Sequence, residues 1–229
     1  MSSFGSYEEF HKLMNLSDKG SHHGYQRFYY PLLKDKQHHA LRMLEIGVES
    51  GKSMKIWQEY FKNANHIYGI GYKNFQKQYM EKVNDNTTIF MGDQSDKVFL
   101  SKFIEDSGGK FDLIIDDGSH VPSHIQISFE KLWDCVNDDG LYIIEDIETS
   151  YWKKNACVYG YSLKNEGSVI EYFKNKVDEI NNEFRNNKSN NKSNDIASIT
   201  FVQNMIILKK ISSLHSPYLN RSYRFQDKI

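Results

Sequence analysis

Apolar residues along the chain fall into short, nearly unbroken runs, Leu41 to Ile46, His66 to Ile70, Thr88 to Met91, Phe111 to Ile115 and Gly140 to Ile144, separated by stretches of helical length. Continuous rather than alternating runs are expected of parallel strands covered on both faces, so the rhythm predicts repeated βαβ units. Between the last two runs, Ile125, Phe129, Leu132, Trp133 and Val136 keep helical spacing, and Pro122 suits a first helical turn. A further helix is predicted from Ser168 to Phe184, with Ile170, Phe173, Val177 and Ile180 on one side. Ile196 to Phe201 and Asn204 to Leu208 then predict two tightly joined strands closing the sheet as an antiparallel hairpin. The expected fold is α/β and Rossmann-like, a mostly parallel seven-stranded sheet with a C-terminal antiparallel hairpin and a small N-terminal cap.

Residues 1–39, rich in aromatic and His residues, form the expected cap, and 40–211 the core. Within the core, two tandem copies of Asn-Asn-Lys-Ser at 186–193 mark a polar insert, 186–195, that reads as a flexible loop. The tail, 212–229, gives no clear signal.

Composition narrows the partners. At 229 residues the chain suits one core. Its 29 Lys and Arg nearly cancel 30 Asp and Glu, so there is no basic field to attract nucleic acid. Two cysteines, Cys135 and Cys157, are too few for a disulfide framework. A polar N-terminus and the lack of a long apolar run predict a soluble protein away from membranes, and the low cysteine content suits a reducing, cytoplasmic compartment.

The chemistry-bearing residues gather at the ends of predicted strands, where open α/β sheets bind ligands. The first run ends in Glu45-Ile-Gly47-Val-Glu-Ser-Gly51-Lys-Ser53, whose glycines allow a sharp turn and a close backbone approach to a nucleotide-like ligand. A phosphate-binding P-loop needs four residues between its glycine and Gly-Lys, and here three intervene. An ordinary strand-to-helix turn is the plainer alternative. The fourth run passes into Asp116-Asp117-Gly118-Ser119-His120, and the fifth into Glu145-Asp146. If those strands are neighbours, Asp117, Glu145 and Asp146 converge into an oxygen cage suited to Mg²⁺, with His120 beside it. Singly, each acid has a plainer reading as a solvated loop residue or helix cap, and His22, His23, His38 and His39 as surface residues. Tyr151 and Trp152 suit either a substrate wall or packing.

Together these segments resemble class I S-adenosylmethionine-dependent methyltransferases, and more narrowly the metal-dependent sugar O-methyltransferases of macrolide tailoring. The resemblance spans Ser17-Asp-Lys-Gly-Ser-His-His-Gly-Tyr25, Leu44-Glu-Ile-Gly47, Gly92-Asp-Gln-Ser-Asp96, Ile115-Asp-Asp-Gly-Ser-His120 and Ile144-Glu-Asp-Ile-Glu-Thr-Ser-Tyr-Trp152. It implies that Glu45, Gly47 and Gly51 frame the methionine part of the cofactor, that Asp93 and Gln94 approach its adenine, and that Asp116 lies nearby. It implies also that Asp117, Glu145 and Asp146 bind Mg²⁺ and that His120 is the general base.

One departure stands out: Gly71 occupies the place of the usual ribose-binding acid. Losing such a charge-assisted bond costs about 1.5–3 kcal/mol, or roughly ten- to a hundredfold in affinity, unless Lys73, Asn74 or water substitutes.

The expected reaction is methyl transfer to a sugar hydroxyl of a nucleotide sugar, glycan or glycosylated small molecule. His22, Tyr25, Tyr151 and Trp152 are expected in the acceptor pocket, and the family suggests a homo-oligomer. Two other readings stay open: a methyltransferase-like binding module without catalysis, and a nicotinamide enzyme, which the incomplete Gly-x-Gly-x-x-Gly pattern disfavours.

Overall fold

The computed structural model of the protein describes residues 5–72, 80–152, 168–180 and 195–211. The insert at 186–194, the tail at 212–229, Cys157, Lys73 and Asn74 lie outside the described residues.

Three N-terminal helices, α1 (Tyr7–Met14), α2 (Asp18–Ser21) and α3 (Gln26–Leu33), precede the sheet. Ser6 and Glu9 start α1 with a reciprocal capping box. The parallel strands are β1 (Arg42–Ile46), β2 (His66–Gly71), β4 (Thr87–Met91), β5 (Phe111–Asp116) and β6 (Val136–Glu145). Helices α4 (Lys52–Tyr60), α5 (Lys97–Ser107) and α6 (Pro122–Leu132) connect them. After α7 (Val169–Asn175) and α8 (Val177–Ile180), β7 (Ile196–Val202) and β8 (Met205–Lys210) form the antiparallel hairpin, β8 pairing with β6.

An eighth strand, β3 (Met80–Asn84), joins the far edge antiparallel to β4, giving the order β3-β4-β2-β1-β5-β6-β8-β7. All five residues of β3 are exposed, so no apolar run marks it in the sequence. Val136, grouped above with the α6 periodicity, instead opens β6. The helix stops at Leu132 and tightens into a 3₁₀ turn over Trp133–Cys135 before Val136 pairs with Phe111. The helix read from Ser168 is two short helices meeting at Lys176, and its part beyond residue 180 lies outside the described residues.

Because side chains alternate along a strand, the sheet divides its apolar residues between two layers. Leu44, Ile46, Ile114, Tyr142 and Ile144 pack under Leu100 and Phe103 of α5, Ile125 and Phe129 of α6, and Phe173 of α7. Met43, Leu113, Ile115 and Ile143 face the other way, beneath Phe10, Tyr25, Tyr29 and Leu33 of the N-terminal segment and Trp57 of α4. The N-terminal segment is thus a full part of one layer.

At the carboxyl ends, Asp116 registers with Ile46 of β1 and Ile144 of β6, so Asp117 and Glu145 leave adjacent strands at the same height. The reversal of strand order between β1 and β5 is a topological switch point, where such sheets open a crevice. Gly47, at φ +104°, passes so close to the β5 exit that a Cβ there would lie 1.8 Å from the Asp117 carbonyl oxygen. Gly47→Ala therefore combines a left-handed backbone with a backbone clash. It is expected to cost about 3 kcal/mol or more, read as a lower urea midpoint with an unchanged m-value; an unchanged midpoint would show that the turn relaxes freely.

Candidate active site

Alternation along β5 sends its two terminal acids to opposite faces. Asp116, 1% exposed, turns toward α6. Its Oδ2 accepts from Ser128 Oγ at 2.6 Å and from the Tyr142 hydroxyl at 3.3 Å, and its Oδ1 from Gln94 Nε2 at 3.0 Å. Burial pushes its pKa above the ordinary carboxylate value, and the bonds from Ser128 and Gln94 oppose that rise. Gln94 also accepts from the Ser119 backbone N–H at 2.6 Å, so it ties the β4 exit to the β5 exit. A Cβ on Gly118 would meet that amide oxygen at 1.9 Å. Asp93 accepts from the backbone N–H and hydroxyl of Ser95, both at 2.7 Å, closing the turn before α5. Asp116 and Gln94, expected near the cofactor, thus brace the strand ends from within.

On the opposite face stand Glu45, Asp117 and Glu145. Between them lies a residue with no assigned role in the sequence reading, Lys19 of α2, 1% exposed. Its ammonium is 2.5 Å from Asp117 Oδ2, 2.7 Å from Glu145 Oε2 and 3.4 Å from Glu45 Oε1. Burial disfavours the charged lysine, but the carboxylates of Asp117, Glu145 and Glu45 outweigh it and hold its pKa well above the ordinary value. Glu145 also accepts from the Tyr29 hydroxyl. Glu45 accepts from Ser53 Oγ at 2.7 Å and Trp57 Nε1 at 3.1 Å. Burial pushes the carboxyl pKa values of Glu45, Asp117 and Glu145 upward, most strongly at Glu145, and the Lys19 ammonium opposes that rise at each.

Asp146, one step past the end of β6, adopts φ +56°, and His120 adopts φ +55°. Left-handed non-glycine residues cost about 1–3 kcal/mol and persist where surrounding contacts enforce them. The Thr149 hydroxyl donates to the His120 carbonyl at 3.1 Å. Asn204, in the β7–β8 turn, donates through Nδ2 to Asp146 Oδ1 at 3.2 Å and to the Tyr25 hydroxyl at 2.8 Å, while Tyr25 donates to the same Asp146 oxygen. Asp146 Oδ2 is left 3.7 Å from His120 Nε2, which lies 4.0 Å from Asp117 Oδ1. Ligand atoms of Asp117, His120 and Asp146 all lie within 4.8 Å of one another, as do those of His23, Asp146 and Glu148.

Several carboxylate oxygens gathered in one place fit a hard divalent cation such as Mg²⁺. Asp117 and Asp146 each present one oxygen free of a protein donor among the described contacts, whereas both oxygens of Glu145 are engaged by Lys19 and Tyr29.

Beside Asp146 opens a cavity of ≈ 510 Å³ lined in part by His22, His23, Arg27, Glu148, Tyr151 and Asn204. Of the residues expected in the acceptor pocket, His22 and Tyr151 line this cavity. Tyr25 is instead buried against Asp146, and Trp152, 41% exposed, is not among the lining residues. His23, read as a surface residue, places Nδ1 3.5 Å from Asp146 Oδ1 and stacks on Tyr25. His38 and His39 are exposed. On the other flank, Gly51 at φ +75° starts α4 with open space at its α-carbon, room for a ligand near Glu45. A Cβ at Gly71 would lie 3.0 Å from Met91 Sδ and 3.3 Å from the Val48 carbonyl, so a side chain there is crowded.

Residues 44–147 match the family described as Methyltransferase domain. That match covers under half of the chain, and over it the chain is similar to this domain family. The chain is 36% identical over 143 residues to the 8-demethyl-8-(2-methoxy-alpha-L-rhamnosyl)-tetracenomycin-C 3'-O-methyltransferase of Streptomyces olivaceus, covering 59% of this chain and 35% of that protein. It is 36% identical over 126 residues to the Mycinamicin VI 2''-O-methyltransferase of Micromonospora griseorubida, covering 52% of this chain and 30% of that one. Among solved structures, MycE methyltransferase from the mycinamycin biosynthetic pathway, in complex with Mg and SAH, superposes with a TM-score of 0.75 at 27% identity, over 89% of this chain and 54% of that chain. The chain therefore spans about half of that structure and about a third of the two curated relatives. The α/β Rossmann-like methyltransferase fold expected from the sequence is the fold observed. Among the described residues no helix is long and apolar enough to cross a membrane.

Ser128→Ala removes a donor from the Asp116 carboxylate and raises its folded-state pKa further. The variant's stability deficit is therefore expected to be smaller at pH 4, where protonation of Asp116 removes part of the charge that the Ser128 hydroxyl stabilises, than at pH 7, where it should reach about 1.5–3 kcal/mol. Urea titrations of both proteins at the two pH values check this, and a deficit independent of pH would refute it.

Proposed function

We propose that this chain is an S-adenosylmethionine- and Mg²⁺-dependent O-methyltransferase acting on a sugar hydroxyl of a glycosylated small molecule. The observation that carries the reading is the meeting of Asp117, Asp146 and His120 beside a polar cavity, in a chain similar to the methyltransferase domain family. The names of its relatives, sugar O-methyltransferases of tetracenomycin and mycinamicin tailoring, support the glycoside over a nucleotide sugar or a glycan, and the enzyme over a binding module.

Asp117 and Asp146, with Glu145, would hold the cation, which when bound favours loss of a proton from coordinated hydroxyls. S-Adenosylmethionine, held along the Glu45–Gly51 turn, would supply an electrophilic methyl on a sulfonium. The chain's own residues do the remaining work. Tyr25 and Asn204 hold one oxygen of Asp146 and so aim the other at His120. His120 accepts the acceptor's hydroxyl proton at Nε2, the nitrogen that faces both aspartates. The cavity is of a size that takes small ligands, and its mix of cation, carboxylate, imidazole and amide suits the hydroxyls of a sugar ring.

Incubating the protein with S-adenosylmethionine, Mg²⁺ and a panel of glycosylated polyketides and free nucleotide sugars, with products weighed by mass spectrometry, tests this. A gain of one methyl on a glycoside, abolished by EDTA, is expected; no methylated product from any sugar acceptor would sink the proposal. His120→Ala should lower kcat about 10²- to 10⁴-fold with the metal still bound. Undiminished turnover would remove His120 as the base.

A further inference from the structure

We propose that Lys19 is a tethered counter-ion for the metal centre: it holds the carboxylates together in the metal-free protein and gives up Glu145 when a divalent cation binds. The inference rests on the metal-binding reading above and names the residue that governs the strength of that binding.

The ammonium sits between acids of three neighbouring strand ends. It is closest to the two expected as ligands, Asp117 at 2.5 Å and Glu145 at 2.7 Å. The two oxygens it holds are Asp117 Oδ2 and Glu145 Oε2, and the second oxygen of Glu145 is bonded by Tyr29. A cation between Asp117 Oδ1 and Asp146 Oδ2 finds two carboxylate oxygens directly. The third carboxylate, Glu145, keeps lone pairs beside its donors, so what opposes its use by the cation is the charge of the donor rather than the bond itself. Of the two donors, the phenol of Tyr29 is neutral, whereas the ammonium of Lys19 is repelled by an arriving cation.

Lys19 also has somewhere to go. Glu45 Oε1 lies 3.4 Å from its Nζ, on the side away from Asp146 and next to the glycine turn. An ammonium stepping toward Glu45 keeps a carboxylate partner, so the exchange strands no charge in the buried layer. Wild-type metal affinity therefore carries the cost of moving an internal cation, and removing that cation tightens the site. A lysine whose sole task is to shape the cluster predicts the opposite: without it the acids spread and metal binding weakens.

The test uses Mn²⁺ alone, titrated against the full chain and followed by electron paramagnetic resonance, with wild type beside Lys19→Met. The variant is expected to bind Mn²⁺ about tenfold more tightly or better, and Mn²⁺ should raise its Tm more than it raises that of wild type. Equal or weaker affinity in the variant overturns the counter-ion role while leaving the metal site in place. No binding by wild type overturns both. Because Lys19→Met exposes buried acids to one another and risks misfolding, a second measurement uses wild type only. With ¹⁵N-labelled lysine, the Lys19 ammonium should give an exchange-protected signal in metal-free protein, and this signal should shift or vanish on saturation with Mg²⁺. A Lys19 signal unchanged at saturating Mg²⁺ also overturns the proposal.

Discussion

Carboxylates that leave three adjacent parallel strands on the same face of a sheet must be neutralised where they meet, and much of this molecule follows from that requirement. Glu45, Asp117 and Glu145 stand at the ends of β1, β5 and β6, in a layer where Glu45 and Glu145 have almost no contact with water. Leaving even one of them buried without a partner costs several kcal/mol. The cation that answers them comes from α2, and the phenols that complete the shell come from Tyr25 and from Tyr29 of α3. The N-terminal segment is therefore a wall of the site. Its apolar residues, Phe10, Met14 and Leu33, bury it against the sheet firmly enough to hold Lys19 in place.

The same alternation that gathers those acids keeps Asp116 apart. Adjacent in sequence, Asp116 and Asp117 face different layers, and their surroundings assign them different work. Three donors fix Asp116, and through Gln94 it locks the loops after β4 and β5 to each other. Asp117 is held on one oxygen only. At this end of the sheet His120 and Asp146 both take left-handed backbone, as Lys110 and Asp139 do at the other end, and Thr149 and Asn204 bond to them here. Under the proposed function, that rigid support holds the proton acceptor in place.

How much of this was legible in the sequence depends on how far each signal extends along the chain. The parallel strands show themselves because their residues are buried on both faces, and the two acidic pairs because each follows such a run directly. β3 is silent, since a fully exposed edge strand has no pattern to bury. Lys19 lies in a segment that carries the resemblance, yet nothing local gives it a role: a lysine between Asp18 and Gly20 looks solvated until the fold places it against Glu145, 126 residues away. Asn204 is likewise an ordinary turn residue until the hairpin brings it to Asp146. The acids carry their own signal, whereas the groups that balance them come from distant segments and become visible only through packing. Asp116 and Gln94 mark a third case, in which the motif was found but its inward direction was set by strand alternation and by Ser128.

The arrangement also has a direction across the edge of the sheet. The glycine turn and Glu45 lie on one flank of Asp117, the polar cavity lies beyond Asp146 on the other, and His120 stands between the two aspartates. Under the proposed function, methyl donor and acceptor therefore approach His120 from opposite sides, which suits an in-line transfer and keeps the two ligands from competing for one space. Lys19 belongs to the donor's flank through Glu45 and to the metal's through Glu145, so a change at either carboxylate is felt at the other by way of one ammonium.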